Sequence, residues 1–398
     1  MSEAIEELSC RALGAPRGAA AIPGALDAGA LASTAATLAE TQLPSGLIPW
    51  SPGGHADPWN HVEAAMALAA CGRRAEADAA YDWLAGSQLR DGSWCRYYLA
   101  RGVEDPRRDT NVVAYVATGV WQHWRTFGDP GFVSAMWPVV DRAIDFALRY
   151  QREDGAFAWA VDPDGTAGSF ALLTGSSSLL TSLRAACRLA EVCEVRRPAW
   201  GEAERRLRTA IVARPSVFAD KARWAMDWYY PVLCGALGGE GGHRRLRAGR
   251  PAFVLDGFGV RCVQDRVWVT AAETAEYALA LDVAGQRAAA LEVLWWLGRF
   301  RREDGRYWTG LVPQEDPTAV VSFPGGEATT YSAAAVVLAA AALTPDSAGG
   351  DVFRELARMA SPPGALPRGN PPAVPSASVG LHRRWVAPLV PRVLERGT

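Results

Sequence analysis

Two carboxylates in this chain stand out by the company they keep. Asp57 lies in "WSPGGHADPWNHVEAAMAL" (50–68), where Pro58 fits the first position of a helix and Asp57 its N-cap. Capping needs no more than the Asp, yet Trp50, His55, Trp59, Asn60, His61 and Glu63 crowd the same Gly-rich loop and helix start. Glu273 lies in "DRVWVTAAETAEYALALDVAG" (265–285), one helical step from Glu276, beside Tyr277 and a turn after Trp268 and Thr270. Acidic residues favour a first helical turn on electrostatic grounds alone. The remainder of that helix is Ala, Leu and Val, which suits an inner helix whose mouth opens on a cavity.

Other helix starts carry similar groups. "RRDTNVVAY" (107–115) offers Asp109 or Thr110 as cap and Asn111 just inside. "TGSSSLLTSL" (174–183) places three hydroxyls together, Ser176 first among them, and "MDWYYPVL" (226–233) joins Asp227 to Trp228, Tyr229 and Tyr230. Caps and core aromatics explain each alone. As a set they match sugar recognition, in which Asp and Asn hold hydroxyls and flat rings cover pyranose faces. Two separated carboxylates then suit glycoside hydrolysis, one protonating the leaving oxygen and the other activating water. Inversion needs roughly 6.5–9.5 Å between them and retention about 5 Å. Asp57, among aromatics that raise a carboxyl pKa, is read as the acid and Glu273 as the base; the acidic neighbour of Glu273 argues for the reverse.

The elements that must position these residues are helical nearly throughout. Paired amphipathic runs fall at 61–88, at 110–127 with 132–151, at 172–193 with 199–213, at 270–284 with 286–302, and at 328–343 with 350–360; 25–42 and 222–237 add single helices. Strand patterns are few, as in "FVLDGFGVRCV" (253–263). "QLRDGSW" (88–94), "QREDGAFAW" (151–159), "RREDGRYW" (301–308) and a looser "QLPSGLIPW" (42–50) close successive helices, Gly serving as a left-handed cap and the aromatic folding back. About twelve helices in stacked hairpins predict an all-α fold, a closed (α/α)6 barrel forming a single domain over 1–398. The Pro-rich stretch 361–378 reads as an irregular strap before a short C-terminal helix.

A net charge of -2 and a pI near 6.3 give no footprint for nucleic acid or anionic lipid. Seven Cys without CxxC spacing read as reduced core thiols. The opening "MSEAIEELSC" has no basic n-region, and no apolar run reaches about 18 residues, so no signal peptide or membrane span is expected, and the cytoplasm is the expected location. The sixteen Trp, many beside Gly, Asp or Asn, fit a cleft with flat walls.

The Gln-to-Trp boxes resemble those of triterpene cyclases and protein prenyltransferases. The chemistry of those enzymes is not legible here: "DPDG" (162–165) is the nearest approach to a D-x-D-D run, no D-D-x-x-D exists, and none of the five His has a Cys at zinc-ligand spacing. Taken together, "HADPWNHVEAAMAL", "DTNVVAYVATG", "TGSSSLLTSL", "MDWYYPVL" and "VWVTAAETAEYALAL" resemble an actinobacterial group of toroidal proteins often labelled prenyltransferase-like, that of the methylmannose polysaccharide hydrolases, over about residues 40–345. Glucoamylase-like (α/α)6 hydrolases are more distantly similar. The resemblance implies an inverting, endo-acting α-mannosidase without metal or cofactor. Asp57 and Glu273 would be its catalytic pair, and a 4-linked α-mannan, plain or 3-O-methylated, its substrate. Another α-glycan such as α-glucan, a non-catalytic glycan-binding toroid and, last, a terpene cyclase are the alternatives. The oligomeric state is left open.

Overall fold

The computed structural model describes residues 26–359 apart from 315, 317 and 318; the expected Pro-rich strap and C-terminal helix lie outside the described residues. The inner helices are α2 (Pro58–Ala70), the consecutive α4 (Thr110–Ala114) and α5 (Val116–Phe127), α7 (Leu173–Val192), α9 (Ala225–Leu233), α11 (Ala271–Val283) and α13 (Thr330–Leu343). Their sequences explain their place. α13 reads "TYSAAAVVLAAAAL" and is buried nearly all round, as a helix apolar on every face must be. Small residues let the helices approach closely: a Cβ on Gly119 of α5 would come within 2.5 Å of Val62 in α2.

The outer helices are α1 (Ala28–Thr41), α3 (Arg74–Ser87), α6 (Pro130–Leu148), α8 (Pro198–Ala213), α10 (Gly239–Phe253) and α12 (Arg287–Trp296). Each buries a stripe only. In α8 that stripe is Trp200, Ala203, Leu207, Ala210 and Ile211, at the spacing of one helix face. Inner helices pack in the order α2, α5, α7, α9, α11, α13, and α13 returns to α2, closing a ring. Because inner and outer helices alternate along the chain, the inner N-termini share one end. Their partial positive charge converges on that mouth.

The repeated boxes tie the outer ring together. Gln42, Gln88 and Gln151 each donate to the carbonyl of the Gly four residues on and to a carbonyl of the next outer helix: Glu76 (2.9 Å), Val139 (2.9 Å) and Ala203 (2.9 Å) respectively. The box Gly is not the helix cap itself but sits past it, with φ near +90°, because a Cβ on Gly92 would lie 2.2 Å from the Arg142 carbonyl. The box aromatic does fold back: Trp94 is buried and its indole N–H donates to the Leu84 carbonyl at 3.0 Å.

Two expectations need correction. The run 350–360 yields α14 (Val352–Arg358), which does not pair outside α13; it packs against α5, α7 and α11, with Arg184 donating to the carbonyls of Leu356 and Cys234. It thus lies at the end of the ring opposite the mouth, and the outer place beside α13 falls to α1. The helix at 225–233 is not single but forms a hairpin with α10. The strands are short: β1 (Tyr97–Leu99) with β2 (Gly102–Asp105), β3 (Arg108–Asp109) with β4 (Ala160–Val161), and an antiparallel sheet in sequence order of β5 (Val254–Leu255), β6 (Gly259–Val260), β7 (Val269–Thr270), β8 (Gly310–Val312) and β9 (Val321–Ser322). β3 and β7 run straight into α4 and α11 and so set where those inner helices begin.

Candidate active site

Asp57 caps α2. Its Oδ1 accepts the backbone N–H groups of Trp59 (2.9 Å) and Asn60 (3.0 Å). Its Oδ2 accepts the Trp50 indole N–H (2.7 Å) and the Asn60 amide (2.6 Å). Burial pushes this carboxyl above its ordinary value, while the N–H donors and His55 pull the other way. His55 pairs with Glu104 at 3.2 Å and stacks on Tyr97, and Trp50 meets Tyr331 of α13 edge-on at 5.3 Å.

Glu273 lies in the first turn of α11, two places round the ring from α2, with α13 between. Its Oε2 accepts the Thr270 hydroxyl, and the buried Cys262 lies close by. Thr274 locks this turn: its hydroxyl donates to the Thr270 carbonyl (2.6 Å) and accepts Val260 N–H (2.9 Å) from β6.

Deeper in the ring, Glu63 of α2 and Glu276 of α11 line one cavity with Trp59, Tyr115, Tyr230 and Ser178. Tyr229 and Tyr230 (2.7 Å) donate to the two oxygens of Glu276, and Tyr115 donates to Glu63 at 3.2 Å. Burial pushes Glu276 up to about 8, with the charge of Glu273 adding to it and the two phenols opposing. Burial likewise drives Glu63 well above its ordinary value, and the charge of Glu276 reinforces this.

Of the other expected residues, Asp109 is buried with Oδ2 paired to Arg96 (2.9 Å) and Oδ1 without a protein partner; burial raises it and Arg96 opposes. Both amide atoms of Asn111 are buried and unpartnered. Asp227 receives the N–H (3.2 Å) and hydroxyl (2.5 Å) of Thr174 and so caps α7 from its neighbour α9. Ser176 is buried in the first turn of α7, and Trp268 stacks on Phe323 in the approach to β7.

His61 and Trp228 are placed otherwise than expected. His61 accepts Ile48 N–H (3.0 Å) and meets the Ala80 carbonyl (2.9 Å) of α3, in the layer between the rings, where burial lowers its pKa to about 4. Trp228 donates to the Arg245 carbonyl (2.8 Å) and stacks on Phe253, so it faces α10. Each lies on the outward face of its inner helix, a distinction that loop crowding in the sequence does not reveal. Glu63 and Tyr115 went unassigned, although a Glu within "HVEAAMALAA" is a signal, since an isolated charge in an apolar helix needs a partner. Among the described residues no group of three or more His, Cys, Asp or Glu is arranged for a metal ion.

No family model matches the chain. It is 45% identical over 333 residues to the MMP endo-(1,4)-3-O-methyl-alpha-D-mannosidase of Mycolicibacterium hassiacum, covering 84% of this chain and 91% of that protein. Among solved structures, a glycosidase in complex with glucose superimposes with a TM-score of 0.64 at 16% identity, over 80% of this chain and 98% of that one. An alpha-amylase from Clostridium perfringens (TM-score 0.58, 11% identity, 82% and 98% covered) and a D-mannose isomerase (0.56, 12%, 78% and 96%) share the architecture. At these identities the likeness to solved structures concerns the fold alone.

Proposed function

The chain belongs to the family of the MMP endo-(1,4)-3-O-methyl-alpha-D-mannosidase, and on that premise we propose that it is a glycoside hydrolase cleaving α-(1→4)-linked mannosyl chains, 3-O-methylated ones among them, internally and with inversion. The observation that carries the reading is the pair Asp57 and Glu273, buried carboxylates at the N-cap of one inner helix and in the first turn of another that is not its neighbour in the ring. Inversion requires the two carboxyls to stand roughly 6.5–9.5 Å apart, with a water between one of them and the sugar.

The hydrogen-bond environment supports the roles in the order opposite to the one expected from sequence. Asp57 is ringed by four N–H groups, which donate and cannot accept, so they favour its anion. Glu273 meets one side-chain partner, the Thr270 hydroxyl, which can turn to accept from a protonated carboxyl. Glu273 is therefore the acid that protonates the leaving glycosidic oxygen, and Asp57 the base that takes a proton from the attacking water. Asn60, whose amide is the movable donor on Oδ2, must yield that lone pair when the water arrives. Trp50, Asn111 and Asp109 supply a flat face and hydroxyl partners for the sugar.

The free state of Cys71, Cys95, Cys187, Cys193, Cys234 and Cys262 supports a reducing compartment, and we place the enzyme in the cytoplasm. The test is a mass-spectrometric digest of 4-linked α-manno-oligosaccharides, methylated and plain, beside α-gluco-oligosaccharides. Internal cleavage of mannosides, lost in Asp57→Asn and Glu273→Gln, is the expected result. Mannosides bound but left intact by the wild type mean a glycan-binding toroid instead, and cleavage of glucosides alone replaces the substrate.

A further inference from the structure

A third carboxyl at the mouth has no part in the mechanism above. Glu327 lies two residues before Thr329, the N-cap of α13, and α13 stands between α11 and α2 in the ring. Contacts on both flanks fix its place. Toward α2, Thr330 donates its backbone N–H and its hydroxyl to the carbonyls of Trp50 and Pro49, each at 2.8 Å, and the Trp50 indole in turn donates to Asp57. Toward α11, the Glu327 carbonyl accepts Thr309 N–H at 3.0 Å, and the Thr309 carbonyl accepts the N–H of Ala271 at 3.1 Å, two residues before Glu273. Glu327 and Glu273 both act by charge on the phenol of Tyr331, which meets Trp50 edge-on. Glu327 therefore belongs to the arc of the mouth between the two reactive carboxylates.

Its side chain lacks a donor. Oε1 of Glu327 is buried without a hydrogen-bond partner. The hydroxyl that faces this carboxyl, that of Thr309, meets the Thr329 hydroxyl at 3.3 Å, and among the described residues no cation acts on Glu327. A buried acceptor left unmade costs folding free energy, so the scaffold alone gives no reason for a carboxyl here. Nor is the segment packed under other protein: a Cβ on Gly325 or Gly326, just ahead of Glu327, would meet nothing within 4 Å.

We propose that Glu327 is a substrate-contact residue, whose free oxygen accepts a hydroxyl of the sugar held between Asp57 and Glu273. This rests on the mannosyl-chain reading of the site. The chemistry of that chain narrows the hydroxyl. In a 4-linked, 3-O-methylated residue the oxygens on C-1 and C-4 are in glycosidic bonds and that on C-3 is an ether, so only the hydroxyls on C-2 and C-6 can donate. An acceptor that reads one of these takes plain and methylated chains alike. The C-2 hydroxyl is axial in mannose and equatorial in glucose, so an acceptor aimed at it also separates the two sugars.

The experiment is calorimetric titration of the full chain with a 4-linked α-mannotetraose and with its uniformly 2-deoxy and 6-deoxy counterparts. It is done in Glu273→Gln, so that no ligand is cleaved, with and without Glu327→Ala. Where Glu327 is intact, one of the two deoxy ligands should bind roughly 10–100-fold more weakly than mannotetraose. Adding Glu327→Ala should weaken mannotetraose by a similar factor and shrink the penalty for that same deoxygenation accordingly, because the hydroxyl has lost the partner it addressed. A shrunken 2-deoxy penalty assigns the C-2 hydroxyl, and a shrunken 6-deoxy penalty the C-6 hydroxyl. A merely structural role would weaken all three ligands equally.

Deoxygenation penalties that are the same with and without Glu327 overturn the proposal, as does mannotetraose binding that Glu327→Ala leaves unchanged. Should the Ala variant not fold, Glu327→Gln puts a weaker, neutral acceptor at the same reach. It should lower both the affinity for mannotetraose and the same deoxygenation penalty, and a Gln variant equal to Glu on all three ligands counts against the contact. Coupled losses without any turnover of mannosides by the wild type overturn the hydrolase reading and leave the Glu327 contact standing. Absence of any mannoside binding overturns both.

Discussion

Thr34, in the first described helix, donates its hydroxyl to the carbonyl of Gly305 across 2.9 Å, and 271 residues of chain separate the two. The earlier boxes dock α1 on α3, α3 on α6 and α6 on α8, and the fourth, in which Arg301 stands where the others have Gln, docks on α1. The φ of Gly305 is +87°, and a Cβ there would lie 2.3 Å from the Ser33 hydroxyl and 3.1 Å from its backbone carbon.

Gly305→Ala should therefore loosen the seam, lowering unfolding free energy by roughly 1–3 kcal/mol through strain at a left-handed position. Thr34→Val, which removes the donor and leaves the Gly305 carbonyl buried, should cost about 1–3 kcal/mol. Urea denaturation followed by circular dichroism measures both, and a midpoint equal to wild type in both variants would show that the ring does not depend on this contact.

Stability should respond to pH through two buried groups of opposite sign. Glu276 is raised when folded, from 4.5 to about 8, so its contribution is complete below about 4.5 and is lost as pH rises to about 8. His61 is lowered, from 6.5 to about 4, so its contribution is complete above about 6.5 and is lost as pH falls to about 4. Between 4.5 and 6.5 the two slopes oppose each other. Thermal melts of Glu276→Gln should lose the fall between neutral and mildly alkaline pH and expose a rise with pH on the acid side. A Glu276→Gln melt profile parallel to wild type at every pH is the contrary outcome.

Asn111 tests whether the mouth is built for hydroxyls. Its amide N and O are buried without protein partners, a costly arrangement for the scaffold alone. Asn111→Ala should leave folding stability unchanged or improved and weaken binding of a manno-oligosaccharide by about 10–100-fold, the equivalent of a lost buried hydrogen-bond partner. Calorimetric titration decides it: unaltered affinity with reduced stability would make Asn111 a structural residue.

Some of this was legible along the chain because it depends on neighbours in sequence. The boxes repeat locally, the Asp57 cap and Pro58 are adjacent, and Glu273 opens a helix whose apolar remainder marks it as inner. What was hidden depends on contacts between distant segments. The Glu63–Glu276 cavity joins two helices more than 200 residues apart, so although an isolated Glu in an apolar helix signals a partner, nothing local names Glu63's partners or shows that His61 turns to α3. The last hairpin misled for the same reason. The periodicity of α14 is helical, but only the Arg184 contacts reveal that it packs under the inner helices rather than outside α13.

The acid and base can be told apart by chemical rescue. A variant lacking the acid should keep turnover of an activated substrate whose leaving group needs no proton, while losing natural mannosides by roughly 100–10,000-fold. A variant lacking the base should be restored by a small nucleophile that replaces the water and needs no deprotonation. Glu273→Gln is expected to show the first pattern, and Asp57→Ala with added azide the second, yielding a glycosyl azide of inverted configuration. The N–H ring around Asp57 leads to this order, because four donors stabilise a charge that a base carries before it acts and an acid only afterwards. If Glu273→Gln is the variant rescued by azide, Asp57 must hold its proton in spite of those donors. Burial, which already raises this carboxyl against its donors, then keeps it protonated until it acts, and the roles exchange.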